Sequence, residues 1–215
     1  MSATTETGNV VIELLPNGPY LVKKLETLEN SRGERLMTKE VIALCRCGGS
    51  SNKPYCDGTH AKYGFSSERG GDRGKDERVD YVGREVTIHD TRGICAHAGL
   101  CTEGLRAVFD SKRTPWIDPD GAESAAIVET IKACPSGALS YSVAGVEHRD
   151  QSREPRVFVS SNGPYYVTGG IELRDAAHGE SASREHYTLC RCGASKNKPF
   201  CDGTHWAIEF RDEKN

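Results

Sequence analysis

Hydrophobic positions along the chain fall into short runs of β-branched and aromatic residues, each three or four long and bounded by turn-forming residues. Val10-Val11-Ile12, Tyr20-Leu21-Val22 and Val41-Ile42-Ala43-Leu44 make one set near the start. Val157-Phe158-Val159, Tyr165-Tyr166-Val167 and Tyr187-Thr188-Leu189 make another near the end. Runs of this length and composition predict strands. Between the sets the pattern changes. Glu85-Val-Thr-Ile-His89 alternates as a half-buried strand does, Ile127, Val128 and Ile131 share one face of a helix predicted over 122–133, and Ser140-Tyr-Ser-Val143 reads as a return strand. The expected class is α+β, with two small, mainly β modules and an α+β domain inserted between them.

The two strand sets are copies of one unit. Asn17-Gly-Pro-Tyr-Leu-Val22 recurs as Asn162-Gly-Pro-Tyr-Tyr-Val167 after 145 residues, and the pairs Cys45/Cys190 and Phe65/Phe210 keep the same interval. A duplication without net insertion means both copies fold alike. Asn-Gly-Pro-Tyr itself reads as a simple turn. The charged, Gly-rich stretch 68–78 and the polar stretch 147–155 read as exposed linkers whose charges serve solvation. The modules expected on this basis are 9–68, 79–146 and 155–215.

In each copy the last strand runs into a cysteine-rich segment, Cys45-Arg-Cys-Gly-Gly-Ser-Ser-Asn-Lys-Pro-Tyr-Cys-Asp-Gly-Thr-His60 and Cys190-Arg-Cys-Gly-Ala-Ser-Lys-Asn-Lys-Pro-Phe-Cys-Asp-Gly-Thr-His205. Each supplies three soft thiolates and one imidazole within sixteen residues, with Gly and Pro turning the chain back on itself, which is the composition of a metal site. Asp57 and Asp202 stand where an N-cap would begin a short helix running through the histidine, and a helix N-terminus favours nearby negative sulfur. Spacing alone leaves zinc open, since three Cys and one His form a common tetrahedral zinc set.

The shared pattern C-x-C-x2-S-x3-P-x-C-D-G-T-H resembles the CDGSH iron–sulfur signature, with Thr59 and Thr204 in place of its Ser. That family holds a 2Fe-2S cluster by three Cys and one His. The resemblance implies Cys45, Cys47, Cys56 and His60 as ligands in the first copy and Cys190, Cys192, Cys201 and His205 in the second. Because the family's unit pairs with a second copy, it also implies that this one chain supplies both halves of an intrachain pseudo-dimer, as a monomer with an internal pseudo-two-fold.

The middle segment holds the remaining cysteines. Cys95-Ala-His-Ala-Gly-Leu-Cys101 follows a strand, a helix comes next, and Cys134-Pro-Ser-Gly-Ala-Leu139 closes the segment. This resembles a single-cluster bacterial ferredoxin, in which a cysteine loop, a helix and a remote Cys-Pro enclose the site. Ala98 occupies the middle cysteine position and has no donor atom. Cys95, Cys101 and Cys134 therefore hold three corners, which favours a 3Fe-4S cluster as in the three-iron ferredoxins. The C-x-H-x3-C loop is also similar to divergent four-iron single-cluster ferredoxins, which leaves 4Fe-4S open and His97 as a candidate fourth ligand.

Composition narrows the compartment and the partners. The 215 residues contain nine cysteines, an odd number divided into three groups of three, so a wholly disulfide-bonded framework is excluded and a reducing environment is expected. The first residues show no basic n-region or apolar h-region, and no apolar run approaches the ~18 residues of a membrane span, so a cytoplasmic, membrane-free protein is expected. A net charge of −3 argues against nucleic acid as partner. His89, His148, His178 and His186 lack cysteines at ligand spacing and are expected on the surface. Asp118-Pro-Asp-Gly121 lacks the remaining ligands of a calcium loop.

No nucleophile paired with a base, phosphate-cradling glycine loop or dinucleotide fingerprint is present, so the chain is not expected to be an enzyme. The expectation is an electron-transfer protein with two 2Fe-2S clusters and one 3Fe-4S or 4Fe-4S cluster, serving redox partner proteins. The alternatives are cluster transfer or storage, redox sensing, and, further off, structural zinc.

Overall fold

The computed structural model describes residues 9–70, 77–176, 179 and 182–215, so the first eight residues, much of the 68–78 linker and His178 lie outside the described residues. In chain order the first repeat forms β1 (Val11–Leu14), β2 (Tyr20–Lys23), β3 (Thr27–Asn30), β4 (Val41–Leu44) and α1 (Thr59–Lys62). The middle segment forms β5 (Arg78–Val82), β6 (Val86–Thr91), a 3-10 turn (Arg92–Ile94), α2 (Leu100–Gly104), α3 (Ser124–Lys132), β7 (Leu139–Val143) and β8 (Val146–His148). The second repeat forms β9 (Arg156–Val159), β10 (Tyr165–Thr168), β11 (Glu172–Leu173), β12 (Tyr187–Leu189) and α4 (Thr204–Ala207). With twelve strands and four short helices among the described residues, the chain is mainly β, more so than the expected α+β class.

Three four-stranded sheets result, ordered β11-β1-β2-β4, β12-β10-β9-β3 and β5-β6-β7-β8. In the first two, each repeat lends one strand to the other. β3 pairs parallel to β9 with Leu28 opposite Val157, and β11 pairs parallel to β1 with Leu173 opposite Ile12. Thr27 and Leu28 stand 145 residues before Glu172 and Leu173, so the lent strands are equivalent positions of the duplication. The exchange merges both repeats into one apolar core, with Leu28, Val22, Val159 and Val167 each 0% exposed. At its centre the Tyr20 and Tyr165 rings meet edge to face, 6.1 Å between centroids. The third sheet is a plain meander with α3 packed over it, Ile127 and Ile131 facing Val86, Ile88, Phe109 and Ile117 in a separate core.

The six expected strands in the repeats form within two residues of their expected bounds, as do β6, α3 and β7. The pattern of apolar runs does not mark β3, β5, β8 or β11. The expected linkers are also more ordered than their composition implied: Arg78 lies in β5, 146–148 form β8, and Gly70 N–H and Arg69 bond to the Lys196 and Lys198 carbonyls. Two histidines expected on the surface are buried. His89 meets Asp80, Arg78 and the Ser142 hydroxyl at 2.7–2.8 Å, and His186 meets Glu185 at 2.8 Å and Ser183 at 3.0 Å. Such partners are what burial of an imidazole requires. His148 is exposed, as expected. No helix among the described residues is long and apolar enough to cross a membrane.

Candidate metal centres

In each repeat the cysteine segment is folded back onto the strand that precedes it. The Cys45 amide bonds to the Pro54 carbonyl at 2.7 Å and the Cys56 amide to the Ala43 carbonyl at 2.8 Å; Cys190 and Cys201 repeat this with Pro199 and Thr188 at 2.8 and 3.1 Å. The loop is then pinned by its own polar side chains. Ser50 Oγ donates to the Tyr55 carbonyl and Ser195 Oγ to the Phe200 carbonyl, both at 2.7 Å. Asp57 and Asp202 each accept one amide from six residues back and one from two residues ahead, at 2.8 and 3.0 Å.

These aspartates are clamps and not the expected N-caps. Gly58 and Gly203 hold the cap positions, at φ +85° and +83° where an L side chain is strained, and α1 and α4 are only four residues long. Hydrogen bonds from Thr59 and Ser51 hold the Asp57 carboxyl well below the usual carboxylate range. The sulfurs are served by loop amides instead of a helix end. Gly49 donates to Cys47, and Gly58 to Cys56, at 3.4 Å; Gly203 donates to Cys201 at 3.5 Å.

The donor atoms gather in pairs. Cys45 and Cys47 sulfurs lie 3.9 Å apart and Cys56 Sγ lies 3.3 Å from His60 Nδ1; in the second repeat the separations are 3.8 Å for Cys190/Cys192 and 3.4 Å for Cys201/His205. Two sulfurs on one tetrahedral metal atom, with bonds of about 2.3 Å, stand about 3.8 Å apart. Each pair thus suits one metal atom. Among the described residues, however, no three His, Cys, Asp or Glu side chains gather closely enough for a single ion. Each repeat thus presents its four donors as two pairs.

The electrostatics favour metal over free thiolate. Burial pushes the Cys45 thiol up to about 11, and pushes Cys201 up further, with Cys190 and, from the middle segment, Cys95 adding to it. A sulfur in such a place gives up its proton only against a compensating positive charge. In the second repeat the contact between the Cys190 and Cys192 sulfurs raises the first thiol and lowers the second. The two sites differ in depth. Cys201 and His205 are 2% and 4% exposed, whereas Cys56 and His60 are only half-buried.

Cys95, Cys101 and Cys134 open together onto one cavity of about 410 Å³, bordered by Asp90, Arg92 and Trp116. Close-packed interiors leave few spaces of that size, and three thiols around it suit a cluster. Burial pushes Cys95 up to about 11, Cys134 adds to it, and the Arg92 guanidinium, stacked 3.9 Å above the Trp116 ring, works the other way. The His97 ring lies against Gly203 of the second repeat.

The turn reading of Asn-Gly-Pro-Tyr missed a role that strict repetition signals. Tyr20 donates to the Cys190 and Pro199 carbonyls at 2.8 and 3.0 Å, and Tyr165 donates to Cys45 and Pro54 at 2.9 and 3.0 Å. Each repeat's buried tyrosine therefore supports the other repeat's cysteine loop.

Comparison with known proteins agrees with this geometry. The family described as "Iron-binding zinc finger CDGSH type" matches residues 17–61 and 162–206, and the family described as "Divergent 4Fe-4S mono-cluster" matches residues 81–144. The chain is also 43% identical over 61 residues to the uncharacterized protein YjdI of Escherichia coli K12 and to its counterpart in strain O157:H7, covering 28% of this chain and 80% of each relative. No solved structure matches.

Proposed function

Because the chain belongs to the CDGSH iron-binding family, twice over, and carries a divergent 4Fe-4S mono-cluster region between the two copies, we propose that it is a one-electron carrier with three clusters. In this reading Cys45, Cys47, Cys56 and His60 hold one 2Fe-2S cluster, and Cys190, Cys192, Cys201 and His205 hold the other. Cys95, Cys101 and Cys134 hold the central cluster, 3Fe-4S or 4Fe-4S. The strand exchange between the repeats supports an internal pseudo-dimer in a monomeric chain. The observation that carries the reading is the pairing of donors, two per metal atom, in each repeat.

The bound clusters would supply reversible one-electron chemistry, and a His ligand in place of a fourth Cys raises the potential of such a site. The chain's own part is to orient and shield. The amide groups of residues 49, 58 and 203 point at sulfur and stabilise its charge. Tyr20 and Tyr165 fix the loops, and the merged core keeps water from Cys45 and Cys190, each 1% exposed. No catalysis on a substrate is proposed; the partners are redox proteins.

Metal analysis with low-temperature EPR on purified protein tests this. The expected result is about seven irons per chain and an EPR signal in the oxidised state from the central site. Zinc in a colourless protein would overturn it. The matched family's description favours 4Fe-4S at the centre, in which case the oxidised protein is EPR-silent and carries one more iron. Half-exposed Cys56 and His60 favour a second function, delivery of a cluster to another protein. Mixing with an apo-ferredoxin separates the two, since delivery moves iron and electron transfer does not.

A further inference from the structure

The two repeats are equal in sequence motif but not in surroundings, and the difference lies where the middle segment touches them. The loop that carries Cys95 docks on the second repeat at three points. The Trp206 indole N–H donates to the His97 carbonyl at 2.9 Å, the Asn197 amide donates to the Gly93 carbonyl at 3.4 Å, and the His97 ring covers Gly203 so closely that a Cβ there would come within 2.6 Å of it.

Both ends of this contact adjoin proposed ligands. His97 is two residues from Cys95 and donates its own amide to that sulfur at 3.4 Å. Trp206 follows His205 directly, their rings 5.2 Å apart, and Gly203 donates its amide to Cys201. From Cys95 to His205 the path is therefore two residues of backbone, one hydrogen bond, the Trp206 side chain and one peptide link. Among the described residues the first repeat has no counterpart to this. Ala61 stands at the position of Trp206, and no described residue lies within 4 Å of where a Cβ on Gly58 would be.

The second repeat in turn abuts the first. A Cβ on Gly48 would come within 2.6 Å of the Cys192 carbonyl oxygen, and one on Gly193 within 2.4 Å of the Cys47 carbonyl oxygen. The far end of the series, at Cys56 and His60, is the more open to solvent.

Resting on the electron-carrier reading above, we infer that the three sites form an ordered series, central to second to first, in which His97, Gly203 and Trp206 are the bridge between the central and second sites. One electron leaves one site, which is oxidised by one unit, and arrives at the next, which is reduced by one. No bond forms or breaks and no proton moves. Covalent and hydrogen-bonded contact lets an electron tunnel farther than an equal gap through space would. The first site is then the terminal that meets an external partner, and the second is internal.

The glycines provide a matched test in the full-length, cluster-loaded protein. Gly203→Ala and Gly58→Ala impose the same backbone strain, at φ +83° and +85°, but only the methyl at 203 meets His97. After sub-stoichiometric reduction by a photoexcited flavin, freeze-quench EPR follows electrons redistributing between the central and 2Fe-2S signals. Gly203→Ala is expected to slow this relative to Gly58→Ala, and hydrogen exchange in 93–98 is expected to rise in Gly203→Ala and not in Gly58→Ala. Trp206→Ala, at a position 58% exposed where folding is not at stake, is expected to slow redistribution as well. Coloured Gly203→Ala and Trp206→Ala proteins that redistribute electrons at the wild-type rate would overturn the bridge while leaving the carrier reading intact. Colourless wild-type protein would overturn both.

Discussion

A single arginine shows how the duplication acts as its own control. Arg191 is fully buried, bonded through Nε to the Gly163 carbonyl at 2.7 Å and through Nη2 to the Ser160 carbonyl at 2.8 Å, and ion-paired to Asp212. Its counterpart Arg46 is 3% exposed, but Ser67 stands where Asp212 would, its carbonyl contacts are stretched to 3.5 Å, and among the described residues its Nε has no partner. A buried charge without its counter-ion is costly, so Asp212→Ser is expected to lower unfolding stability by about 3 kcal/mol. Ser67→Asp, which supplies the missing carboxylate, is expected to raise it by about 1 kcal/mol. Denaturant titration of both variants checks the opposite signs. A pH effect belongs at this scale too. Burial works to raise the Glu185 carboxyl, but the Arg153 guanidinium at 2.6 and 2.9 Å and the Gly169 amide outweigh it and hold it at about 2. With the folded value below the ordinary 4.5, this group stabilises the fold above about pH 4.5 and loses that contribution as pH falls towards 2. The Glu185→Gln variant is expected to lose less stability across that window than wild type, as read from unfolding midpoints at each pH.

At the scale of elements, what could be read from the sequence was whatever is local. The expected strands β1, β2, β4, β9, β10 and β12 carry their own apolar runs, and the four donors of each motif lie within sixteen residues of one another. Thr27-Leu-Glu-Asn30 has one apolar side chain; it becomes a strand because Arg156–Val159 lies open beside it, a partner that no local pattern reveals. The Asp57 and Asp202 cap reading failed for a related reason, since each carboxylate is engaged six residues back along the loop before the helix begins. The His97 contact with Trp206 spans 109 residues and has no periodic signal. Depth was equally hidden: identical motifs give one site with half-buried Cys56 and His60 and another with Cys201 and His205 buried. A chelator is therefore expected to bleach the protein in two phases, the faster from the first repeat. Cys56→Ser should abolish the fast phase and Cys201→Ser a slow one, as followed by visible absorbance; loss of the same phase in both variants would contradict the difference in depth.

For the molecule as a whole, exchange of β3 and β11 makes each repeat a completion of the other. Leu28, 0% exposed, is covered by the second repeat's sheet, and Tyr20 has its hydrogen-bond acceptors at Cys190 and Pro199. Cut away from 155–215, the first repeat would present β3 with no sheet to join, expose Leu25 and Leu28, and leave β1 with an open edge. Since β3 and β11 are equivalent positions, the only substitute within reach is a second copy of the same fragment, each lending β3 to its neighbour's β1. A fragment spanning residues 1–70 is accordingly expected either to stay unfolded or to form a dimer that binds iron, its molar mass by light scattering twice that of the chain and its colour lost on dilution. A fragment that stayed monomeric, folded and coloured would mean that the lent strand is dispensable, and that the cysteine loop can be held without the tyrosine that reaches it from the other half.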